Sequence, residues 1–362
     1  MKEKRLELLK TLTETPGVSG FEAPIRKVLK DYLSHLATEL TADNLGSLVA
    51  VKKGADEGVK IMVAAHMDEV GFLVTSITDD GFIKFQPLGG WWEQVLLAQR
   101  VEILTGKGRL LGVIGAKSPH ILSAEERSKP VKIKTMYIDI GSTSREETEQ
   151  AGIRQGDPAV PYSAFHLCEN GKSIMARALD NRLGCALVVE LFEELKDIHH
   201  QGTIYGVMTV QEEVGLRGAT TSVDVVRPDL AIAVDVSVAT DTPGIRDDDI
   251  ASRNYLGKGP VIGFYDASMI PHTPFRDLVA QVAEENKIPF QVDVMAGGGT
   301  DAGKIHLFRQ GVPSVVIGVP VRYIHDHTGV AHLDDYQNAL RLLTALVRAI
   351  DSGTLQRLRD SI

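Results

Sequence analysis

The sequence predicts an α/β fold: a mostly parallel sheet flanked by helices, with a small β-rich domain inserted into it. Three observations carry this expectation. Apolar strand-like runs alternate with helical stripes in the first fifth and the second half of the chain, the order in which a parallel sheet is wound. Between roughly Gly71 and Tyr162 the texture changes to short β-like pieces separated by Gly, Asp and Pro, and helical stripes are nearly absent. The α/β signature before that stretch needs segments after it to complete a sheet, so the stretch reads as an insertion. The expected division is 1–70 plus 163–362 for the α/β domain and 71–162 for the inserted β domain.

The first clear helix starts near Pro24 and shows Ile25, Val28, Leu29, Tyr32, Leu33 and Leu36 at three- and four-residue steps. Strands follow at Leu48–Val51 and Val59–Ala65, the second a near-continuous apolar run of the kind buried on both faces. Within the insertion the pieces are Phe72–Ile77, Phe82–Phe85, Val101–Leu104, Leu110–Ile114 and Met136–Ile140. Beyond it come a helix through Leu187, Val188, Leu191, Phe192 and Leu195, then strands at Ile204–Val210 and Leu230–Val234. Pro243–Gly263 reads as a long loop and, on length, a functional candidate. A helix from about Pro274, a strand Val315–Val319 and a final helix from about Asp335 to Ile350 complete the pattern.

Composition bounds the function. The 362 residues exceed one typical domain, and 43% hydrophobic with 24% charged residues is ordinary for a globular chain. A formal charge of −9 without a dense Lys/Arg run argues against a nucleic-acid partner. Only Cys168 and Cys185 occur, too few for a disulfide scaffold and typical of a reducing compartment. Charges interrupt the leucines after Met1, so no signal core is expected, and no apolar run approaches the roughly 20 residues of a membrane span. The expected location is the cytoplasm.

Ligands of open α/β sheets bind outside the carboxyl ends of the strands. Behind the predicted strands stand His66-Met67-Asp68-Glu69, Gln211-Glu212-Glu213, Asp235 and Arg322-Tyr323-Ile324-His325, with Asp180 near the start of a helix. Taken singly, each has an ordinary explanation: a hydrogen-bonded core histidine, a helix-cap aspartate, a solvated acidic turn. Together they crowd carboxylates that cannot all stay ionised unless cations or protons compensate them. Two histidines with several acids and no Cys suit zinc, cobalt or manganese. The candidates are too many for one three-ligand zinc. They suit a pair of ions about 3.5–4 Å apart, with Asp180 able to bridge, one of Glu212 and Glu213 ligating and the other acting as base. Asp68 is spaced to orient His66 from behind.

These blocks, together with Ala178-Leu179-Asp180-Asn181-Arg182 and Gly297-Gly298-Gly299-Thr300-Asp301-Ala302-Gly303, resemble the TET-type dinuclear metallo-aminopeptidases, the family of glutamyl and deblocking aminopeptidases. The resemblance runs from about Leu6 to the final helix. It implies a zinc-peptidase-like catalytic domain, and a PDZ-like or barrel-like insertion used for dimer contacts. It further implies assembly into homo-oligomers, dimers or tetrahedral dodecamers. His66 and Asp235 would bind one metal, Glu213 and His325 the other, and Asp180 both. Glu212 would be the general base and Asp68 the carboxylate behind His66. The implied activity is removal of N-terminal residues from short peptides by a metal-dependent aminopeptidase carrying two Zn2+ or Co2+ ions, or Mn2+. A related deacylase or carboxypeptidase, and a peptide-binding scaffold with a structural metal, are the alternatives. The endoglucanase label some members carry is disfavoured, since glycosidases need two metal-free carboxylates.

One departure is visible. The family's last histidine is usually followed by Ser and shortly by Glu, whereas Asp326-His327-Thr328-Gly329-Val330 stands here, with His332 beyond. His325 is the expected ligand because Arg-Tyr-Ile-His precedes it intact; His327 is the alternative. Gly297-Gly298-Gly299 reads as a tight loop beside the substrate, since no Walker-type Gly-Lys-Ser/Thr follows. His120 reads as a surface histidine and Trp91-Trp92 as an exposed-loop pair or subunit contact. His199-His200 reads as the end of the preceding helix. The substrate pocket is expected from Thr240–Asp266 and Gly297–Asp301.

Overall fold

The computed structural model describes residues 2–245, 252–295 and 297–361. An eleven-stranded sheet runs in the order Glu39–Ala42, Leu48–Lys52, Gly202–Thr209, Asp56–His66, Leu230–Val238, Ser314–Arg322, Gly329–His332, Ser173–Ala176, His166–Leu167; Val261–Tyr265 also pairs with Ser314–Arg322 and carries Gln291–Val294 beyond it. The parallel part expected from the sequence is the centre, where Gly202–Thr209, Asp56–His66, Leu230–Val238 and Ser314–Arg322 run the same way. The margins are antiparallel.

Alternation across the central strands explains their continuous apolar runs. Ile61, Val63 and Ala65 face one core, formed with the helices Lys2–Glu14, Ala23–Leu33, Leu179–Glu194 and Leu333–Ala349. Met62 and Ala64 face a second, smaller core, with Ala219 and Val223 of the helix Arg217–Val226. With helices on both faces, neither set of side chains reaches water.

The six strands Gly71–Ile77, Ile83–Leu88, Arg100–Thr105, Gly108–Gly115, Tyr137–Asp139 and Pro158–Pro161 close into a barrel with its own core around Phe72, Val74, Ile103 and Ile138. The chain enters the barrel five residues after the central strand ends at His66, so the barrel is tethered at the carboxyl edge of the sheet.

Several elements differ from the sequence reading. The helix Lys2–Glu14 was not expected: charges interrupt its pattern, yet Leu8, Leu9 and Leu12 are buried. A further helix, Ser352–Asp360, follows the one expected to be last, started by Asp351, whose Oδ1 accepts the Thr354 N–H. The long loop proves shorter, because a strand begins at Val261; its residues 246–251 lie outside the described residues. His199 and His200 lie beyond the helix that ends at Glu194, and buried His200 contacts the Gly202 carbonyl through Nδ1 at 2.8 Å.

A buried ion cluster fastens the first helix to the central strand. Glu69 pairs with Arg177 and, at 3.3 Å, with Arg182, whose Nη1 also donates to the carbonyls of Leu12 (2.7 Å) and Thr15 (2.8 Å). Removing one partner of a buried pair leaves an uncompensated charge, so Arg182→Met is expected to cost about 3–5 kcal/mol. Urea unfolding checks this; an unchanged midpoint would show that Arg177 suffices for Glu69.

Candidate active site

The carboxyl edge of the parallel centre gathers the predicted residues. His66 ends its strand with Nδ1 against the Asp68 carbonyl at 3.1 Å. A carbonyl only accepts, which puts a ring proton on Nδ1 and leaves Nε2 facing Asp180 Oδ1 (3.0 Å), Asp235 Oδ1 (3.7 Å) and Glu212 Oε2 (4.0 Å). His325 Nε2 lies 3.2 Å from Glu213 Oε2 and 3.4 Å from Asp180 Oδ2. Asp180 thus turns one oxygen to each imidazole.

Local structure explains how Asp180 is free to do so. It precedes the regular part of its helix, with φ −83° and ψ 107°, and the cap is supplied by Asn181, whose Oδ1 accepts the Gly184 N–H at 2.9 Å. The ordinary reading of Asp180 as the helix cap is therefore replaced by Asn181. Asp68 is wholly buried and does more than stand behind His66. Its carboxylate lies 3.6 Å from Nδ1 and accepts the Ser19 hydroxyl (2.6 Å) and the N–H groups of Glu212 (2.9 Å) and Glu213 (3.2 Å).

Burial disfavours charge here and the acids disfavour one another. Burial lowers the His66 pKa, but Glu212, Asp180 and Asp235 together carry it well above the usual value. The same balance puts His325 at about 11. Burial raises Glu212 well above the carboxylate range, with Asp235, Asp301 and Glu213 adding to it, and raises Glu213 to about 6. Asp301 is a member that the sequence reading assigned only to the substrate loop. It is 2% exposed, its Oδ2 accepts the Thr209 hydroxyl at 2.5 Å, its Oδ1 has no partner, and burial pushes it to about 7. Its presence in the Gly297–Gly303 block was the available signal.

The cluster opens into a cavity of about 780 Å3, lined also by Gly297–Thr300 and by Tyr265 and Asp266, as the sequence predicts. Asp293, Met295 and Met269 also line it and were not expected. Gly90 lets the barrel's edge loop pass: a Cβ there would stand 3.2 Å from His325 Nδ1.

A family model described as M42 glutamyl aminopeptidase matches residues 46–342. This chain belongs to the M42 aminopeptidase family. A glutamyl aminopeptidase of Lactococcus lactis is 39% identical, over 97% of this chain and 98% of its own. The crystal structure of a TET aminopeptidase from a marine-sediment Thaumarchaeota archaeon superposes with TM-score 0.96 at 46% identity, covering 99% of each chain. The TET1 peptidase of Pyrococcus horikoshii, described as assembling into a tetrahedron or a large octahedral shell, matches with TM-score 0.84 at 35% identity, over 96% of this chain and 100% of that one. The chain is thus an aminopeptidase, a hydrolase of peptide bonds in a metal-dependent family, and the deacylase, carboxypeptidase and scaffold readings are not favoured.

The donor chemistry of this M42 chain fits divalent ions. Three groups of candidate ligand atoms each lie within 4.8 Å of one another: His66, Asp180 and Asp235; Asp180, Glu213 and His325; and His66, Glu212 and Glu213. Glu213 Oε1 is buried without a hydrogen-bond partner, an oxygen that a cation would satisfy. Cys185 stays out of the chemistry: its buried thiol donates to the His66 carbonyl at 3.2 Å and is pushed up to about 12.

The remaining histidines lie apart. His327 is 4% exposed, with neither ring nitrogen hydrogen-bonded, and its ring is 5.4 Å from that of Trp91. Burial holds it down to about 4, so it is neutral. It joins none of the ligand groups among the described residues. His332 caps the helix Leu333–Ala349 by accepting the Asp334 N–H at 3.2 Å, and His120 is exposed in the barrel. The tryptophans are not alike: Trp92 is 63% exposed, whereas Trp91 stacks on Phe72 of the barrel core and donates Nε1–H to the Gly71 carbonyl at 3.1 Å. His327→Phe keeps the ring packing, so bound metal is expected to stay constant and stability to change by less than about 1.5 kcal/mol. His325→Ala should lower bound metal; mass-spectrometric metal analysis of both variants decides which histidine belongs to the site.

Proposed function

We propose that this chain removes single residues from the free amino ends of short peptides, with two divalent cations per subunit. His66, Asp180 and Asp235 would hold one, and Asp180, Glu213 and His325 the other. The observation that carries the reading is Asp180, whose two oxygens lie 3.0 Å and 3.4 Å from the Nε2 atoms of two different histidines. Imidazole and carboxylate donors without thiolate suit Zn2+ or Co2+, with Mn2+ as a further candidate. Such a pair, when bound, lowers the pKa of water and polarises a carbonyl.

The chain's own groups do the rest. Glu212, 8% exposed, takes the proton of the attacking water and delivers it to the leaving amine. Its burial makes it a stronger base than an exposed carboxylate. Asp68 keeps the His66 ring turned with Nε2 towards the cluster and holds the backbone of Glu212 and Glu213, so the base and a ligand are set by one buried group. The cavity beside them receives the N-terminal side chain.

Residues 1–70 with 163–362 would form the catalytic unit and 71–162 a dimerisation domain, in support of which the strands from Gly71 to Pro161 close on themselves with a separate core. A homo-oligomer built from dimers is the proposed state, in support of which the P. horikoshii relative is described as assembling into a tetrahedron or a large octahedral shell. The proposed location is the cytoplasm, in keeping with two free cysteines.

Glu212→Gln is expected to keep its bound metal while kcat on an aminoacyl-chromophore falls by about 10²–10⁴. Near-normal turnover would discard the base. Dialysis against a chelator should abolish activity, and Zn2+ or Co2+ should restore it. N-acetylated peptides should resist the loaded enzyme; their ready hydrolysis would favour a deacylase.

A further inference from the structure

The turn that carries Glu212 and Glu213 is held from outside at three successive amides. Strand Gly202–Thr209 ends just before it, and Gln211 adopts a left-handed conformation with φ +54°, costly for a residue with a Cβ. Two buried carboxylates from elsewhere in the chain grip the amides there. Asp68 accepts the N–H groups of Glu212 (2.9 Å) and Glu213 (3.2 Å). Glu22, 6% exposed at the head of the helix Ala23–Leu33, accepts the N–H groups of Gln211 (3.0 Å) and Gly20 (2.8 Å) on the same oxygen, Oε1. Ser19, three residues before it, donates its hydroxyl to Asp68 Oδ2 at 2.6 Å.

The segment Gly17–Glu22 is itself pinned to the metal-site strand end. Gly17 and Glu69 exchange backbone and side-chain hydrogen bonds of 3.1 Å and 2.9 Å, and Val18 forms a β-bridge with Glu69. One short loop between the first two helices therefore holds both the residue behind His66 and the amide immediately before the proposed base.

We infer that Glu22 is a positioning residue for catalysis, acting through Glu212 by fixing the left-handed Gln211 turn. Neither metal nor substrate touches it in this scheme. An ordinary capping glutamate would bond its own helix, but Glu22 makes no side-chain bond to the first turn of Ala23–Leu33 and reaches instead to a turn 189 residues later. Without it the half-buried Gln211 N–H loses its partner, and the turn loses one of the contacts that hold it against its preferred backbone conformations. Glu212 would then move relative to the reacting water, and a displacement of about 1 Å is enough to cost as much as 10²-fold in rate.

The inference rests on Glu212 being the base, so the experiment separates the two. Steady-state kinetics and metal analysis are run on the metal-loaded E22A, E22D, E22Q, E212Q and E22A/E212Q variants. E22A should lose about 10- to 100-fold in kcat with KM and bound metal unchanged. E22D keeps the charge but is one methylene too short and should also lose kcat, which covers the case in which E22A does not fold. E22Q retains the accepting Oε1 and should recover most of the rate. E22A/E212Q should be no slower than E212Q, because a residue that acts through the base has nothing left to act on. Wild-type kcat in E22A or E22D, no recovery in E22Q, or additive losses in the double variant would overturn the inference while leaving the aminopeptidase reading intact. Near-normal turnover in E212Q would discard both.

Discussion

The constraint on which this structure turns is an excess of carboxylate at the carboxyl end of a parallel sheet. Asp68, Glu212, Asp235 and Asp301 are buried, Asp180 and Glu213 nearly so, and the imidazoles of His66 and His325 are what faces them. The contrast with Glu69 is instructive. That equally buried acid, one residue beyond Asp68, is met by the guanidinium groups of Arg177 and Arg182. The chain can therefore neutralise a buried carboxylate from its own resources, and at the neighbouring cluster, where two imidazoles face six carboxylates, it does so only in part. Burying charge without compensation is too costly to persist, so the cluster has to be matched from solution by protons or by divalent ions.

Much of the surrounding architecture follows from keeping that cluster in place. Parallel pairing brings His66, the 211–213 turn, Asp235 and the 322–325 turn to one edge from four strands distant in sequence. Helices on both faces make the strands rigid, which ligand geometry needs and a flexible edge would not provide. The barrel's entry so soon after His66 also gives it a direct hold on the site. Gly90 lies against His325, and Trp91 joins the barrel core at Phe72 to the ring of His327. Packing against the insertion is thus continuous with the second imidazole's loop.

The sheet and the cluster of candidate ligands were legible in the sequence for the same reason. A strand buried on both faces must be apolar throughout, so Val59–Ala65 and Val315–Val319 announce themselves, and a polar residue directly behind such a run is conspicuous. What escaped notice has physical causes of its own. The helix Lys2–Glu14 buries a narrow stripe amid charges, and Asp301 lies in a glycine-rich block whose local pattern signals a tight turn rather than a buried acid. The mixed margins of the sheet were illegible because antiparallel strands such as Gly329–His332 are only four residues long. That His327 would be a buried neutral ring depended on Trp91, more than two hundred residues earlier, and no local pattern reports such a contact.

Backbone conformation at the site was equally hidden, and it shows where packing energy goes. Ala178, Gln211, Tyr323 and His325 all have φ between +52° and +63°, and each stands at or within two residues of a candidate ligand or base. Each such residue costs on the order of 1–2 kcal/mol relative to a right-handed one. Glycine would remove the penalty, but glycine would also let the turn sample other conformations. A side chain forced into the left-handed region and then held by external hydrogen bonds, as the 211–213 turn is by Glu22 and Asp68, has one accessible geometry. The strain is the local cost of aiming carboxylates and imidazoles at common points, and the large apolar cores on either face of the sheet are what allow the fold to carry it.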